Sequence, residues 1–351
     1  MIDNGRAAND SNTVVVIGAT GFIGFYLVRY LQQAGYRVLA VDKSLNDEAR
    51  YLVDKGASFM AVDIVNEEEF DRLPERDVRA VVNLACVQPA SNADSDPAAY
   101  IKVNVLGVAN ILKYCQRCNA GKLLHTISHR NIQGLWEKGD LITEEAPRAI
   151  KYAGRFAIFS ISESAAADLI EYHIQEHKMK CVIFRLPSVY GFGHHESAIV
   201  SGTVAKTGLG VFIENARSGR TIEVWGDSRK GRDVIYVKDV VSAIAMAIES
   251  KDACGLFNIA SGKNLSLKDQ VDSIVEVFAP KGKTPSVVYR PEIPNSVEAC
   301  SYDISKAARE LGWSPRYSFG DMLSDYKLEM ERGELSFLLD RKHRMLMEQN
   351  A

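Results

Sequence analysis

The sequence predicts a Rossmann-type α/β fold, a doubly wound parallel sheet with a smaller C-terminal α/β domain. Three observations predict it. Short apolar runs alternate with helix-period segments through the first half, a glycine turn joins the first run to the first helix, and the rhythm changes after Pro187. Short buried strands spaced by helices make βαβ units, and such units build a parallel sheet covered on both faces.

In order, strands are expected at 14–17, 37–41, 59–62, 80–85, 122–127 and 181–186, with helices over 22–34, 98–115 and 156–177. Residues 13–187 then form one dinucleotide-type domain behind a polar tail at 1–12. From 188 to 330, glycines at 191–193, 208–210 and 226–231 punctuate the shorter elements of a second domain. A segment around 233–260 returns to the first domain, with a helix at 240–249 and a late strand at 256–259 rejoining the main sheet. Helices follow at 267–278 and 305–311. The stretch 331–351 reads as a charged tail whose Leu335, Leu338, Leu339, Met345 and Leu346 offer one helical face.

Composition narrows the function classes. A chain of 351 residues that is 46% hydrophobic and 25% charged buries a sizeable core and is not disordered. Its net charge of -3 argues against nucleic acid as a partner. Residues 1–12 are polar and unlike a secretory leader, and the longest uncharged stretch, 13–28, contains three glycines and is short for a membrane span. A soluble cytoplasmic protein without membrane association is expected. The six cysteines are scattered, and the lone pair Cys115 and Cys118 lacks the second pair that a zinc site needs, so no metal is expected.

The first strand runs into Gly18-Ala19-Thr20-Gly21-Phe22-Ile23-Gly24. A pyrophosphate needs backbone N–H groups and a helix N-terminus aimed at it. Gly18 permits the tight turn, Gly21 lets the backbone come close, and Gly24 lets the helix pack on the strand. Asp42 ends the second strand eighteen residues beyond Gly24. A carboxylate there accepts from the adenosine ribose hydroxyls and repels a 2′-phosphate, which favours NAD over NADP.

This turn resembles that of the extended short-chain dehydrogenase/reductases, the nucleotide-sugar epimerases and dehydratases. The likeness extends over about residues 13–328, through 63–64, 83–86, 104–110, 185–191, 231–239, 303–307 and 311–313. It implies a cofactor site completed by Thr20, Phe22 and Ile23. It also implies that Asp63 and Ile64 lie at the adenine, that Leu84, Ala85 and Cys86 lie beside the cofactor, and that Asn104 is a structural residue of that site. On the substrate side Arg232 is implied at the diphosphate, Ser188 departs from the pattern where many relatives carry a substrate-contacting Asn, and His194 lies in a loop near the expected sugar pocket. The implied activity is transient hydride transfer from a nucleotide-activated sugar to bound NAD, in a homodimer paired through the helices at 98–115 and 156–177.

The resemblance fails at the catalytic pair. The family places a Ser or Thr after the fifth strand, which Ser128 matches with Thr126 beside it, and a Tyr-x-x-x-Lys on the next helix. Here those two positions fall on Phe159 and Glu163. Phe has no ionisable hydroxyl, and Glu carries the wrong charge to lower a neighbour's pKa as Lys does. Glu163, Tyr152 and His129 are the candidate bases. The competing expectation is a non-catalytic NAD-binding protein with a regulatory or scaffolding role. His173, Glu176 and His177 match a zinc-peptidase spacing but read as a solvated helix face, and His125 as a packed strand residue.

Overall fold

The computed structural model describes residues 12–89, 96–193, 196–200, 203–295 and 297–349. Seven strands form the main sheet: β1 (Thr13–Ile17), β2 (Arg37–Asp42), β3 (Ser58–Ala61), β4 (Val78–Asn83), β5 (Leu123–Ser128), β6 (Cys181–Leu186) and β7 (Gly255–Asn258). Their order is 3-2-1-4-5-6-7, and every pairing is parallel. The expected late strand is thus β7, at the sheet edge beside β6.

Period-two alternation sorts β1 between two cores. Val14 and Val16 pack on one face with α1 (Phe22–Gln33). Val15 and Ile17 pack on the other, against α3 (Gly107–Arg117) and α4 (Ala157–His177). A helix absent from the sequence reading, α2 (Asp47–Asp54), follows β2. Asn46 caps it by accepting from the Ala49 N–H.

The helix expected at 98–115 is not uniform. A single α-turn, Pro97–Tyr100, passes into a π-helical stretch, Ile101–Leu106, and only then into α3. Such π-bulges recur at functional sites, and this one carries Asn104. No helix among the described residues is long and apolar enough to cross a membrane.

Beyond β6 the chain builds two-stranded ladders instead of a second large sheet. Ser188–Tyr190 pairs in parallel with Val234–Tyr236, which leads directly into α5 (Val237–Glu249), packed on α1. The segment read as a charged tail is docked over part of its length. Leu335 and Leu338 are buried in the core of α1, Leu338 covers Gly193, and Arg344 pairs with Glu48 at 2.6 Å. Its leucines supply enough apolar contact to outweigh its charge.

A third, small core of Ile132, Trp136, Ile142, Ala260, Cys300 and Tyr302 packs beside the ladder of Leu141–Ile142 with Ser301–Tyr302. Asn258, at the end of β7, is its polar clasp. Its Nδ2 donates to the carbonyls of Ile142 (3.0 Å) and Asp303 (3.1 Å), and its Oδ1 accepts from Arg185 at 3.2 Å. Burial makes each stranded partner costly. Asn258→Ala is expected to lower stability by about 1–3 kcal/mol per stranded partner, read as an earlier urea midpoint at unchanged slope.

Candidate active site

The glycine turn lies where the strand order reverses, between β1 and β4. Gly18 has φ +78°, and a Cβ there would stand 2.6 Å from the Ala85 nitrogen. A Cβ on Gly24 would stand 2.1 Å from the Gly18 carbonyl oxygen. Gly21 is different, since its Cβ would meet only that same oxygen, at 3.0 Å. Two glycines therefore let backbone pack on backbone, and the third keeps the mouth of the turn clear. No side chain caps the N-terminus of α1. The arrangement fits a dinucleotide pyrophosphate.

Asp42 is tied into this turn. Its Oδ2 accepts from the Thr20 N–H (3.0 Å) and hydroxyl (2.7 Å), and its Oδ1 accepts from the Lys43 N–H at 2.8 Å. The carboxylate thus braces the loop while keeping acceptor capacity on Oδ1. At the end of β3, Asp63 accepts from the Val65 N–H (3.0 Å), and the Ile64 carbonyl is held by Asn110 at 2.9 Å. After β4, Leu84 donates its N–H to Ile17 and Ala85 donates to the Asn83 side chain. Asn104 accepts from the Val87 N–H (2.7 Å), and its Nδ2 donates to the Val87 carbonyl (3.2 Å) and to Ser162 (3.0 Å). It clamps the loop carrying Cys86 to α4.

Ser128 ends β5. Its Oγ accepts from the Arg130 N–H at 3.3 Å, and its own N–H donates to both Glu163 carboxyl oxygens, at 3.2 and 3.1 Å. Glu163 is buried in α4, and burial pushes its pKa up to about 8 against the weaker opposing pull of the Ser128 N–H. It therefore holds a proton at neutral pH. Burial, with Glu163 beside it, pushes the Cys86 thiol up to about 12. Phe159, one turn before Glu163, is buried edge-on to Tyr100 with ring centroids 6.5 Å apart. Thr126 is half-buried on β5 opposite Phe184.

The other candidate bases are not brought to this strand end as free groups. Tyr152 is 78% exposed, because its loop runs over the surface before α4. His129 is buried in the small third core. Its Nδ1 lies 2.7 Å from the Tyr302 hydroxyl, and its ring lies 4.5 Å from that of Trp136. Burial, then Arg130, Arg232 and Arg185, hold its pKa well below the usual imidazole value. His125, as expected, is a packed strand residue, bonded to Asn83.

On the substrate side, Ser188 faces Val234 in the parallel ladder. Arg232 reaches the Tyr190 hydroxyl at 3.4 Å, and its buried Nε has no partner among the described residues. Its two acidic neighbours in sequence are otherwise engaged, Asp233 by Ser261 and Gly262 and Asp227 by Arg229. His194 lies outside the described residues.

Arg130 was missed by sequence reasoning. Its Cζ lies 3.9 Å from the Phe156 ring centroid and 5.1 Å from that of Trp136. Its only sequence signal is its place two residues after Ser128. No group of three metal-ligating side chains occurs among the described residues, and the rings of His173 and His177 stack at 5.0 Å. Cys115 and Cys118 are buried free thiols.

The raised Glu163 pKa has a sign that can be tested. Between about pH 4.5 and pH 8 the unfolded chain loses this proton while the folded chain keeps it, so the contribution to stability present below pH 4.5 is lost as pH rises to about 8. Glu163→Gln is expected to flatten that decline. Urea unfolding at several pH values in this window checks it, and parallel curves for the two proteins would contradict it.

Residues 14–260 match the model of the NAD dependent epimerase/dehydratase family. A putative UDP-glucose 4-epimerase of Methanocaldococcus jannaschii is 25% identical, covering 86% of this chain and 93% of that protein. A dTDP-glucose 4,6-dehydratase of Neisseria gonorrhoeae is 25% identical, covering 87% and 92%. The crystal structure of UDP-glucose 4-epimerase from Thermotoga maritima with UDP-glucose superposes with a TM-score of 0.73 at 24% identity, covering 91% of this chain and 99% of that one. With the glycine turn, the parallel sheet and a family match over most of its length, the chain belongs to the NAD-dependent epimerase/dehydratase family, whose cofactor is NAD.

Proposed function

We propose that this protein converts a nucleotide-activated sugar, as an epimerase or dehydratase, through an active site in which Phe159 and Glu163 stand where the family has Tyr and Lys. One observation carries the reading. The glycine turn ends β1, the end of β5 in the same parallel sheet holds the buried Glu163 carboxyl group through the Ser128 N–H, and the buried Nε of Arg232 has no partner among the described residues. Gly18, Thr20, Gly21, Phe22, Ile23 and Gly24 would hold the pyrophosphate, and Asp42 the adenosine ribose, disfavouring NADP. Asp63 and Ile64 would border the adenine. Leu84, Ala85 and Cys86 would line the nicotinamide side, on a loop that Asn104 positions.

When bound, NAD supplies a reversible acceptor for hydride from a sugar carbinol. Ser128 orients the reacting hydroxyl, Thr126 backs it on the strand, and Glu163 exchanges the proton. A carboxyl group with a pKa near 8 is matched to proton exchange close to neutrality. Ser188 and Arg232 hold the diphosphate side, Arg232 by charge-assisted hydrogen bonds.

A second reading, NAD binding without chemistry, is favoured by Phe159, which has no hydroxyl, and by the protonated state of Glu163. Single-turnover reduction of bound NAD with UDP-glucose and dTDP-glucose separates the two. The enzymatic reading expects a rate that rises with pH through about 8 and falls about a hundred- to ten-thousand-fold in Glu163→Gln. The second reading expects no reduction until Phe159→Tyr is combined with Glu163→Lys.

The first reading also takes the protein to be a homodimer, supported by the exposed apolar residues Ile101, Leu106, Ile161 and Tyr172 on the helical segments at 98–115 and 156–177. Light scattering at micromolar concentration is expected to give twice the chain mass, and Ile161→Glu with Leu106→Glu to give one.

A further inference from the structure

The C-terminal segment is tied to the cofactor turn through α2. Glu48, in the first turn of α2, is 1% exposed, and the only partner of its carboxylate among the described residues is Arg344, at 2.6 Å. A buried carboxylate costs stability unless a cation meets it. The Arg344 guanidinium is held in turn, since its Nη1 donates to the Phe337 carbonyl at 2.8 Å and its Nε reaches the Asp47 carboxylate at 3.5 Å. Further along α2, Glu334 accepts from the Tyr51 hydroxyl (2.7 Å) and pairs with Lys55 (3.0 Å). Between these two anchors the Phe337 ring lies 5.4 Å from that of Tyr51 and 6.0 Å from that of Phe25 on α1. α2 has eight residues and buries Glu48, Ala49 and Leu52. A helix so short does not hold its own geometry in water, so its placement depends on what is packed against it.

That placement reaches the glycine turn. Asn46 caps α2 through its Oδ1, and its Nδ2 donates to the Thr20 hydroxyl at 3.0 Å. The same hydroxyl donates to Asp42 at 2.7 Å. Arg344, Glu48, Asn46 and Thr20 therefore form a relay of side chains from the end of the chain to the turn, and Arg344 stands outside the residues 14–260 that carry the family match. We propose that Arg344 is a positioning residue for NAD. It holds Glu48 and the first turn of α2, and Asn46 thereby keeps the Thr20 and Asp42 side of the turn in the shape that grips the adenosine half of the cofactor. The proposal rests on the reading that this turn meets NAD.

Release of NAD from the loaded full-length protein tests it, followed as NADH absorbance while a trapping alcohol dehydrogenase with ethanol reduces the freed cofactor. Arg344→Met is expected to speed release about two- to thirtyfold, the range of effects carried through packed side chains. Arg344→Lys, which keeps the charge, is expected to restore much of the slow release. Asn46→Ala is expected to act like Arg344→Met, and the double variant to be no faster than the faster single one, because both break one relay. Glu334→Gln loosens the other end of α2 and is expected to lower the urea midpoint while leaving release unchanged. If Arg344→Met does not fold, its combination with Glu48→Gln, which leaves no buried charge unpaired, carries the same expectation. Unchanged release in Arg344→Met overturns the proposal, as do effects that multiply in the double variant. So does a Glu334→Gln protein that releases NAD as fast as Arg344→Met, which would make docking of the whole segment the cause. Thr20→Val keeps the underlying reading separate. If it speeds release and Arg344→Met does not, the proposal alone falls, whereas unchanged release in Thr20→Val removes the reading as well.

Discussion

The contact on which the cofactor end depends is the approach of α1 to β1 through two glycines. The Gly18 carbonyl lies so close to the Gly24 Cα that a methyl group would meet it at 2.1 Å. Moving the helix outward to admit one would carry Phe25, Leu27 and Leu31 out of the core they share with Val14 and Val16. It would also withdraw the uncapped helix start from the strand ends. Fold and cofactor site therefore share one steric requirement. Asp42 reinforces it by holding Thr20, so that the end of β2 and the turn after β1 behave as one rigid piece.

The catalytic end is organised by desolvation. Burial sets the protonation of Glu163, and β5 places the Ser128 N–H against it. The result at this position is a carboxyl group that keeps its proton near pH 7. Asn104 matters here because the π-helical stretch presents its amide to both the Val87 backbone and Ser162, joining the loop after β4 to α4.

Much of this was legible from residue order. Apolar runs and glycine spacing located the sheet, the turn and Asp42, since each depends on a local rule of backbone geometry. The late strand was legible for the same reason. The π-helical stretch was not, because its residues have ordinary helix propensity and only their packing distinguishes it. The docking of 335 and 338 was obscured by surrounding charge. His129 was a candidate by adjacency to Ser128 and Tyr152 by its place seven residues before Phe159, and proximity in sequence says nothing of which way the chain carries a side chain.

The sequence by itself determined the order of strands and helices and the positions where only glycine fits, all of them properties of individual residues and their spacing. The tertiary structure decided which groups remain chargeable and which have partners. Burial is a property of everything packed around a side chain, so the raised pKa of Glu163, the enclosed His129 and the exposed Tyr152 emerge only when segments distant in the chain come together.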